Sequence, residues 1–199
     1  MDNLSIVIMA SRKREAWALE LSSKLNNCPI AWDPHLRFNT GNIWENCKRA
    51  WGMQDKSKKW NLVIQDDAIL CKDFLIRVQE HLDRAEKLGC AIQFYIGNNP
   101  HYEEQFRQNL KNGYVIKPDL SWGVAIALQS DLVPSMIQFG NSHMGWQDDI
   151  KIKHFLLKKN ISTYYPLPGL VDHRHENENP SLVRSKDGDR FSNFFIDNI

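Results

Sequence analysis

Short, continuous apolar runs alternate along this chain with longer stretches in which apolar residues recur every three or four positions. The runs Leu4–Met9 (LSIVIM) and Trp60–Ile64 (WNLVI) read as strands covered on both faces, the kind found in parallel sheets with helices on either side. After the first run, Trp17, Leu21 and Leu25 fall at i, i+4 and i+8 and lay one stripe against a sheet, with Arg14, Glu15, Glu20 and Lys24 left to water and Asn26-Asn27 closing the helix. Cys28–Asp33 reads as a second short strand, residues 38–41 as a turn-rich connection, and Ile43, Cys47, Ala50 and Trp51 as the inner face of a second helix. Residues 54–59 form a polar linker into the strand at Trp60. A helix with Leu75, Val78, Leu82 and Ala85 on one face then ends at Gly89.

Ala91–Ile96 is a further strand, and residues 97–113, polar and without period, read as a long mobile loop. Tyr114–Lys117 and Ser121–Leu128 follow as strands, and Ser130-Asp131 offers a cap for a short helix carrying Leu132, Val133, Met136 and Ile137. Asp148-Asp149 opens a helix striped by Ile152, Phe155 and Leu156. Ser162–Tyr165 is a last strand, residues 166–171 cross the surface, and Asp172-His-Arg-His175 brings two imidazoles to its end. Residues 176–199 are polar until FSNFFI and form a docked or flexible tail. Strands alternating with helices predict an open α/β sheet flanked by helices in a single domain over residues 1–183, with a tail over 184–199.

Composition narrows the function. A chain of 199 residues suffices for one sizeable core, and a net charge of +1 gives no overall drive toward nucleic acid or anionic membrane. Cys28, Cys47, Cys71 and Cys90 lie far apart with no C-x-x-C pair, which argues against a thiolate zinc site and for free thiols in a reducing compartment. The opening MDNLSIVIMASRKR places charge after a short apolar run instead of before a long one. It predicts neither a signal peptide nor an anchor, and a soluble, cytoplasmic protein.

The chemistry gathers where apolar runs stop. Asp66 and Asp67 follow the strand at Trp60, on the edge where open α/β sheets bind ligands, and paired acids there can hold a hard cation and through it a phosphorylated ligand. The same pair also suits a turn or a helix N-cap. Asp148 and Asp149 likewise favour a helix dipole, yet two acids beside Gly145 and Trp146 exceed that need. Gly123, between Trp122 and Val124, permits close approach of a ligand or backbone.

In order, these parts resemble the glycosyltransferases of GT-A fold, an open mixed sheet flanked by helices. The run LVIQDDAI is similar to their D-x-D region, which implies Asp67 as metal ligand and Asp66 as support or donor contact; Gln65 departs from the pattern by replacing the first acid. Ser121-Trp122-Gly123 resembles the glycine-bearing segment beside the donor sugar, and Gln147-Asp148-Asp149 resembles the x-E-D motif, with Asp148 in place of Glu and Asp149 as the implied base of an inverting reaction. PLPGLVDH is similar to the late segment ending in a metal-binding histidine, here His173. The resemblance implies Mn²⁺ or Mg²⁺, a nucleotide-sugar donor with UDP foremost, and a hexosyl- or pentosyltransferase of the bacterial or phage type. A carboxylate at Asp149 can take the acceptor's proton if burial raises its pKa. Ser11, Arg12 and Asp33 stand where base, ribose or phosphate would be met, Asp33 as acceptor from a ribose hydroxyl, and Trp146 is the aromatic favoured for stacking. Ser11 equally caps a helix and Asp33 equally starts a turn. The acceptor is a saccharide or a hydroxylated base in DNA, the latter suggested by Arg12-Lys13-Arg14, Lys56-Lys58-Lys59 and Lys151-Lys153. Three other readings remain. One is a catalytically silent module that binds a nucleotide sugar or nucleic acid; another is zinc on His173 and His175; the third is a metal-dependent phosphodiesterase.

Overall fold

The β-branched and aromatic runs pair into one sheet because each is apolar on both faces and can be covered only by helices from both sides. The protein, seen here as a computed structural model, is described over residues 3–34, 40–98, 100–174 and 191–198. In chain order the elements are β1 (Leu4–Ala10), α1 (Glu15–Lys24), β2 (Ile30–Trp32), α2 (Thr40–Gly52), β3 (Trp60–Gln65), β4 (Ala68–Leu70), α3 (Phe74–Leu88) and β5 (Ala91–Gln93). They continue with α4 (Pro100–Asn109), β6 (Tyr114–Lys117), β7 (Ala125–Gln129), α5 (Val133–Asn141), α6 (Asp148–Lys158), β8 (Thr163–Pro166) and β9 (Val171–His173). Among the described residues seven strands form the main sheet, in the order β2-β1-β3-β7-β5-β8-β6, while β4 and β9 pair in a small sheet of their own. β2, β1 and β3 are parallel, β7 runs against both β3 and β5, β8 is parallel to β5, and β6 runs against β8. The expected α/β class with helices flanking an open mixed sheet is therefore what the chain forms.

Alternation along each strand sorts the core into two layers. Ile8, Leu62, Ile64 and Ala127 face α1 and α3 through Ala18, Leu21, Phe74, Val78, Leu82 and Ala85. Val7, Val63, Ile126 and Leu128 face α2, α5 and α6 through Trp44, Cys47, Trp51, Met136, Ile152 and Phe155. A third cluster, in which Phe106 of α4 meets Val115, Tyr165 and Phe194, closes the far end of the sheet.

Several expectations need correction. Residues 97–113 are not a loop: Pro100–Asn109 is a helix whose one buried residue, Phe106, anchors it, so the low apolar content hid its single-contact packing. β7 starts at Ala125, not Ser121, because the chain at Ser121-Trp122 is held by a side chain instead of a neighbouring strand. β4 stands between Asp67 and α3, where no strand was expected. Trp17 is only half-buried, and Ala18 with Leu21 and Leu25 forms the inner face of α1. Ser130 caps no helix; its hydroxyl donates to the Lys58 carbonyl and accepts from Asn61 Nδ2 at 2.6 Å. In the last segment Phe194 and Phe195 are buried, so those residues are docked. His35, Phe38 and His175 lie outside the described residues.

One close approach fixes how α2 meets α5. A Cβ on Gly140 would stand 2.0 Å from Trp44 Cζ2, and the buried indole is held by Nε1 donating to Asn141 Oδ1 at 3.0 Å. Gly140→Ala is expected to lower stability by about 3 kcal/mol, read from chemical denaturation. A change below ~0.5 kcal/mol would show that the helices part without strain.

Candidate functional site

Parallel pairing of β1 and β3, with Met9 opposite Gln65, brings the ends of both strands to one sheet edge. There the Asp66 N–H donates to the Met9 carbonyl at 3.1 Å, and the Ser11 N–H donates to Asp66 Oδ2 at 2.7 Å. The chain after β1 makes a 3₁₀ turn over Arg12–Arg14, capped by Ser11, and this turn aims Arg14 back across the edge. Arg14 Nη2 meets Asp66 Oδ1 at 2.6 Å while Nη1 donates to Asp67 Oδ2. One guanidinium thus bridges both acids. Asp66 and Asp67 are buried, at 1% and 4% exposure, and two adjacent carboxylates taken out of water require such a countercharge. Burial raises the pKa of the Asp66 carboxyl, Arg14 opposes that shift, and the charge of Asp67 adds to it.

His173 reaches the same place through the small sheet. Ala68 pairs with His173 across β4 and β9, and the Arg174 N–H donates to the Asp67 carbonyl at 2.9 Å. His173 Nε2 lies 3.2 Å from Asp67 Oδ2, while Nδ1 donates to the Arg174 carbonyl at 2.8 Å. That second contact assigns the proton of a neutral ring to Nδ1 and leaves Nε2 as a lone pair facing a carboxylate oxygen. Two acceptors at this distance call for a cation between them, a proton or a metal ion. Behind them, buried Asp172 Oδ1 accepts from His173 N at 2.8 Å and from Ser192 N at 2.7 Å.

The second acid pair approaches from α6. A Cβ added to Gly123 would lie 3.3 Å from both Asp149 Cβ and Gln65 Nε2, so the bare glycine lets α6 stand against the end of β3. Fully buried Gln93 holds this segment: its Oε1 accepts from Ser121 N at 3.2 Å and Trp122 N at 3.3 Å, and its Nε2 donates to the Trp122 carbonyl. The Trp122 indole is wedged over Gly97 and meets Tyr95, Tyr102 and Tyr165 edge-on. Asp149 Oδ1 accepts from the Ile150 N–H at 2.7 Å. Asp148 is the deeper acid, pushed up to about 7 by burial and then by the charge of Asp149. The burial sought for a base therefore falls more on Asp148 than on its neighbour. Beneath it lies buried Lys151, whose ammonium stands 4.4 Å from the Trp44 ring centre.

The remaining candidates separate. Asp33 N donates to Ala10 O at 2.8 Å, which keeps Asp33 on the same edge as Ser11. Arg12 lies outside the acid cluster, paired with Glu15 at 2.8 Å and stacked over Trp32. Trp146 is partly exposed and lies 4.7 Å from both the His143 and His154 rings. Arg14, expected in water, is the correction that matters most, since its side chain is 12% exposed and serves both acids. Spacing does not single it out from Arg12 and Lys13. Gln93 had one weak signal, a lone amide in the apolar run AIQFYI.

By sequence the chain matches no protein-family model, and no curated protein matches it. By structure it is similar to a variant of Drosophila β1,4-galactosyltransferase 7 in complex with manganese, UDP-Gal and xylobiose, at 8% identity and a TM-score of 0.50, covering 93% of this chain and 76% of that one. This is a GT-A fold. A UDP-glucose pyrophosphorylase complexed with UDP-glucose aligns over 82% of this chain and 72% of its own, with a TM-score of 0.42 and 10% identity. Whether the GT-A edge found here suits a divalent cation turns on Asp67 and His173. Among the described residues no group of three or more His, Cys, Asp or Glu is arranged to hold one. Yet the 3.2 Å between Asp67 Oδ2 and His173 Nε2 is close to the ~3 Å that separates neighbouring ligands of a six-coordinate ion with bonds of about 2.1–2.2 Å. Two protein ligands, with phosphate oxygens and water for the rest, are an ordinary complement for such an ion, so the residues fit.

Asp148 has a signature in stability. The folded chain keeps its proton to about pH 7 whereas an exposed carboxyl loses it near 3.8, so this group's contribution falls as pH rises between those values and stays low above them. Asp148→Asn removes that dependence. Its stability relative to the parent is expected to improve by roughly 2 kcal/mol between pH 5 and pH 8 in denaturation experiments; a constant difference would show that Asp148 ionises freely.

Proposed function

We propose that the protein is a divalent-metal-dependent glycosyltransferase that moves a sugar from a UDP-sugar onto an acceptor hydroxyl with inversion. The observation that carries this reading is the face-to-face placement of Asp67 and His173, with the ring proton on the far nitrogen, at the strand edge of a GT-A fold. The neighbour's complex with manganese, UDP-Gal and xylobiose supports the metal, the donor class and a saccharide acceptor. Asp67 and His173 hold the cation, and their mixed oxygen and nitrogen donors favour Mn²⁺ over Mg²⁺. When bound, the metal neutralises the charge that gathers on the departing diphosphate.

The chain's own groups do the rest. Ser11, Arg12 and Asp33 meet the base, ribose and phosphates at the ends of β1 and β2, with Asp33 accepting from a ribose hydroxyl. Trp122 and Gly123 border the donor sugar, the glycine by letting Asp149 and Gln65 come together beside it. Asp149 accepts the proton of the acceptor hydroxyl as that oxygen attacks the anomeric carbon, and Asp148 lies behind it as buried support. Trp146, the partly exposed aromatic ahead of α6, stacks on sugar or base. A saccharide is preferred to DNA because the basic clusters do not form one surface. Lys58 and Lys59 precede β3, at the edge opposite Arg12–Arg14, while Lys151 is buried and Lys153 pairs with Asp119 at 2.8 Å. No described helix is long and apolar enough to cross a membrane.

Calorimetry with UDP-, GDP- and CMP-sugars in Mn²⁺, followed by mass spectrometry of mono- and disaccharide acceptors, tests the proposal. Binding of a UDP-sugar that is lost in Asp67→Ala is expected. Asp149→Asn is expected to lower kcat about 10²–10³-fold with little change in donor KM. Donor binding indifferent to Asp67→Ala would sink the reading, and binding with neither transfer nor hydrolysis would favour a silent binding module.

A further inference from the structure

Arg14 is already bound to the carboxylate that a divalent cation would use. Its Nη1 donates to Asp67 Oδ2, the same oxygen that stands 3.2 Å from His173 Nε2, and its Nη2 holds Asp66 Oδ1 at 2.6 Å. A metal ion entering between Asp67 and His173 would share Oδ2 with the Arg14 hydrogen bond and weaken it by drawing electron density from that oxygen, and it also meets the repulsion of a guanidinium close by. Asp66 resolves the conflict. It is buried and anchored by the Ser11 N–H, and it can keep Arg14 after Asp67 lets go. The two adjacent acids thereby divide their work, one retaining the arginine and the other taking the ion. We infer that Arg14 is a resident countercharge that competes with divalent metal for Asp67 and so sets how tightly this site takes it. The inference rests on the metal part of the proposed function.

Without metal, Arg14 neutralises a pair of carboxylates that burial would otherwise destabilise. Its removal should therefore do two opposite things, weakening the metal-free protein and strengthening its hold on metal.

The test titrates Mn²⁺ alone at pH 8 into the parent chain, Arg14→Gln and Asp67→Asn, following free Mn²⁺ by electron paramagnetic resonance and thermal unfolding in parallel. Arg14→Gln is expected to bind Mn²⁺ about tenfold tighter than the parent, the equivalent of one charge-assisted hydrogen bond no longer surrendered. Saturating Mn²⁺ should raise its Tm by more than it raises the parent's. Asp67→Asn should lose the binding. Equal or weaker binding by folded Arg14→Gln overturns the inference while leaving the metal site intact. Absence of Mn²⁺ binding in every protein overturns it together with the metal part of the function, and retained UDP binding would then keep the donor part. Should Arg14→Gln not fold, Mg²⁺ is titrated into the ¹⁵N-arginine-labelled parent, with the Arg14 Nε–H signal assigned by its loss in Arg14→Lys. A shift of that signal on saturation is expected, and an unmoved signal overturns the inference.

Discussion

Two adjacent carboxylates carried out of water at the end of a buried strand are the constraint on which the rest of this site depends. β3 is covered on both faces, so the residues that follow it emerge into protein instead of solvent, and Asp66 and Asp67 remain almost fully buried. Such a pair is tolerable only with countercharge and hydrogen-bond donors at hand. The turn after β1 supplies both, through the Ser11 N–H and the Arg14 guanidinium, and the small sheet brings His173 to the oxygen of Asp67 that Arg14 holds. Elements remote in sequence are thus drawn to one edge by the demand of a single dipeptide.

The reversed strand matters as much as the parallel ones. Because β7 runs against β3 and β5, its leading end lies beside their trailing ends, and Gly123 arrives on the ligand edge without any crossover. Gln93 then stands in for the missing strand partner by bonding three backbone groups of Ser121 and Trp122. An amide buried in a strand is costly unless satisfied, and here it is satisfied by the loop that borders the second acid pair.

Much of this was legible in the chain. Continuous apolar runs marked β1 and β3, helical stripes marked α2, α3 and α6, and Gly89 ended α3 with the positive φ that a left-handed C-cap requires. The acids at the end of β3 and the start of α6 stood out because polar residues follow apolar runs abruptly. Three things were not legible. α4 buries one aromatic and otherwise exposes amides and charges, so period and composition carried no signal. β4 and β9 are three-residue strands whose pairing is purely tertiary. Arg14 belongs to a run of three basic residues, and spacing alone does not tell which of them turns inward; the Ser11-capped 3₁₀ turn decides it by rotating Arg14 toward the acids and leaving Arg12 on Trp32.

Asp172 joins His173 to Ser192 through one carboxylate oxygen, and Gly169 bridges to Phe195 close by. The two halves of the site therefore answer to different parts of the chain. Asp66, Asp67 and Arg14 meet through contacts made within the first seventy or so residues. The strand that carries the imidazole, by contrast, is braced by residues near the end of the described chain. A change at Ser192 or Phe195 would reach the histidine and leave the acids with their arginine.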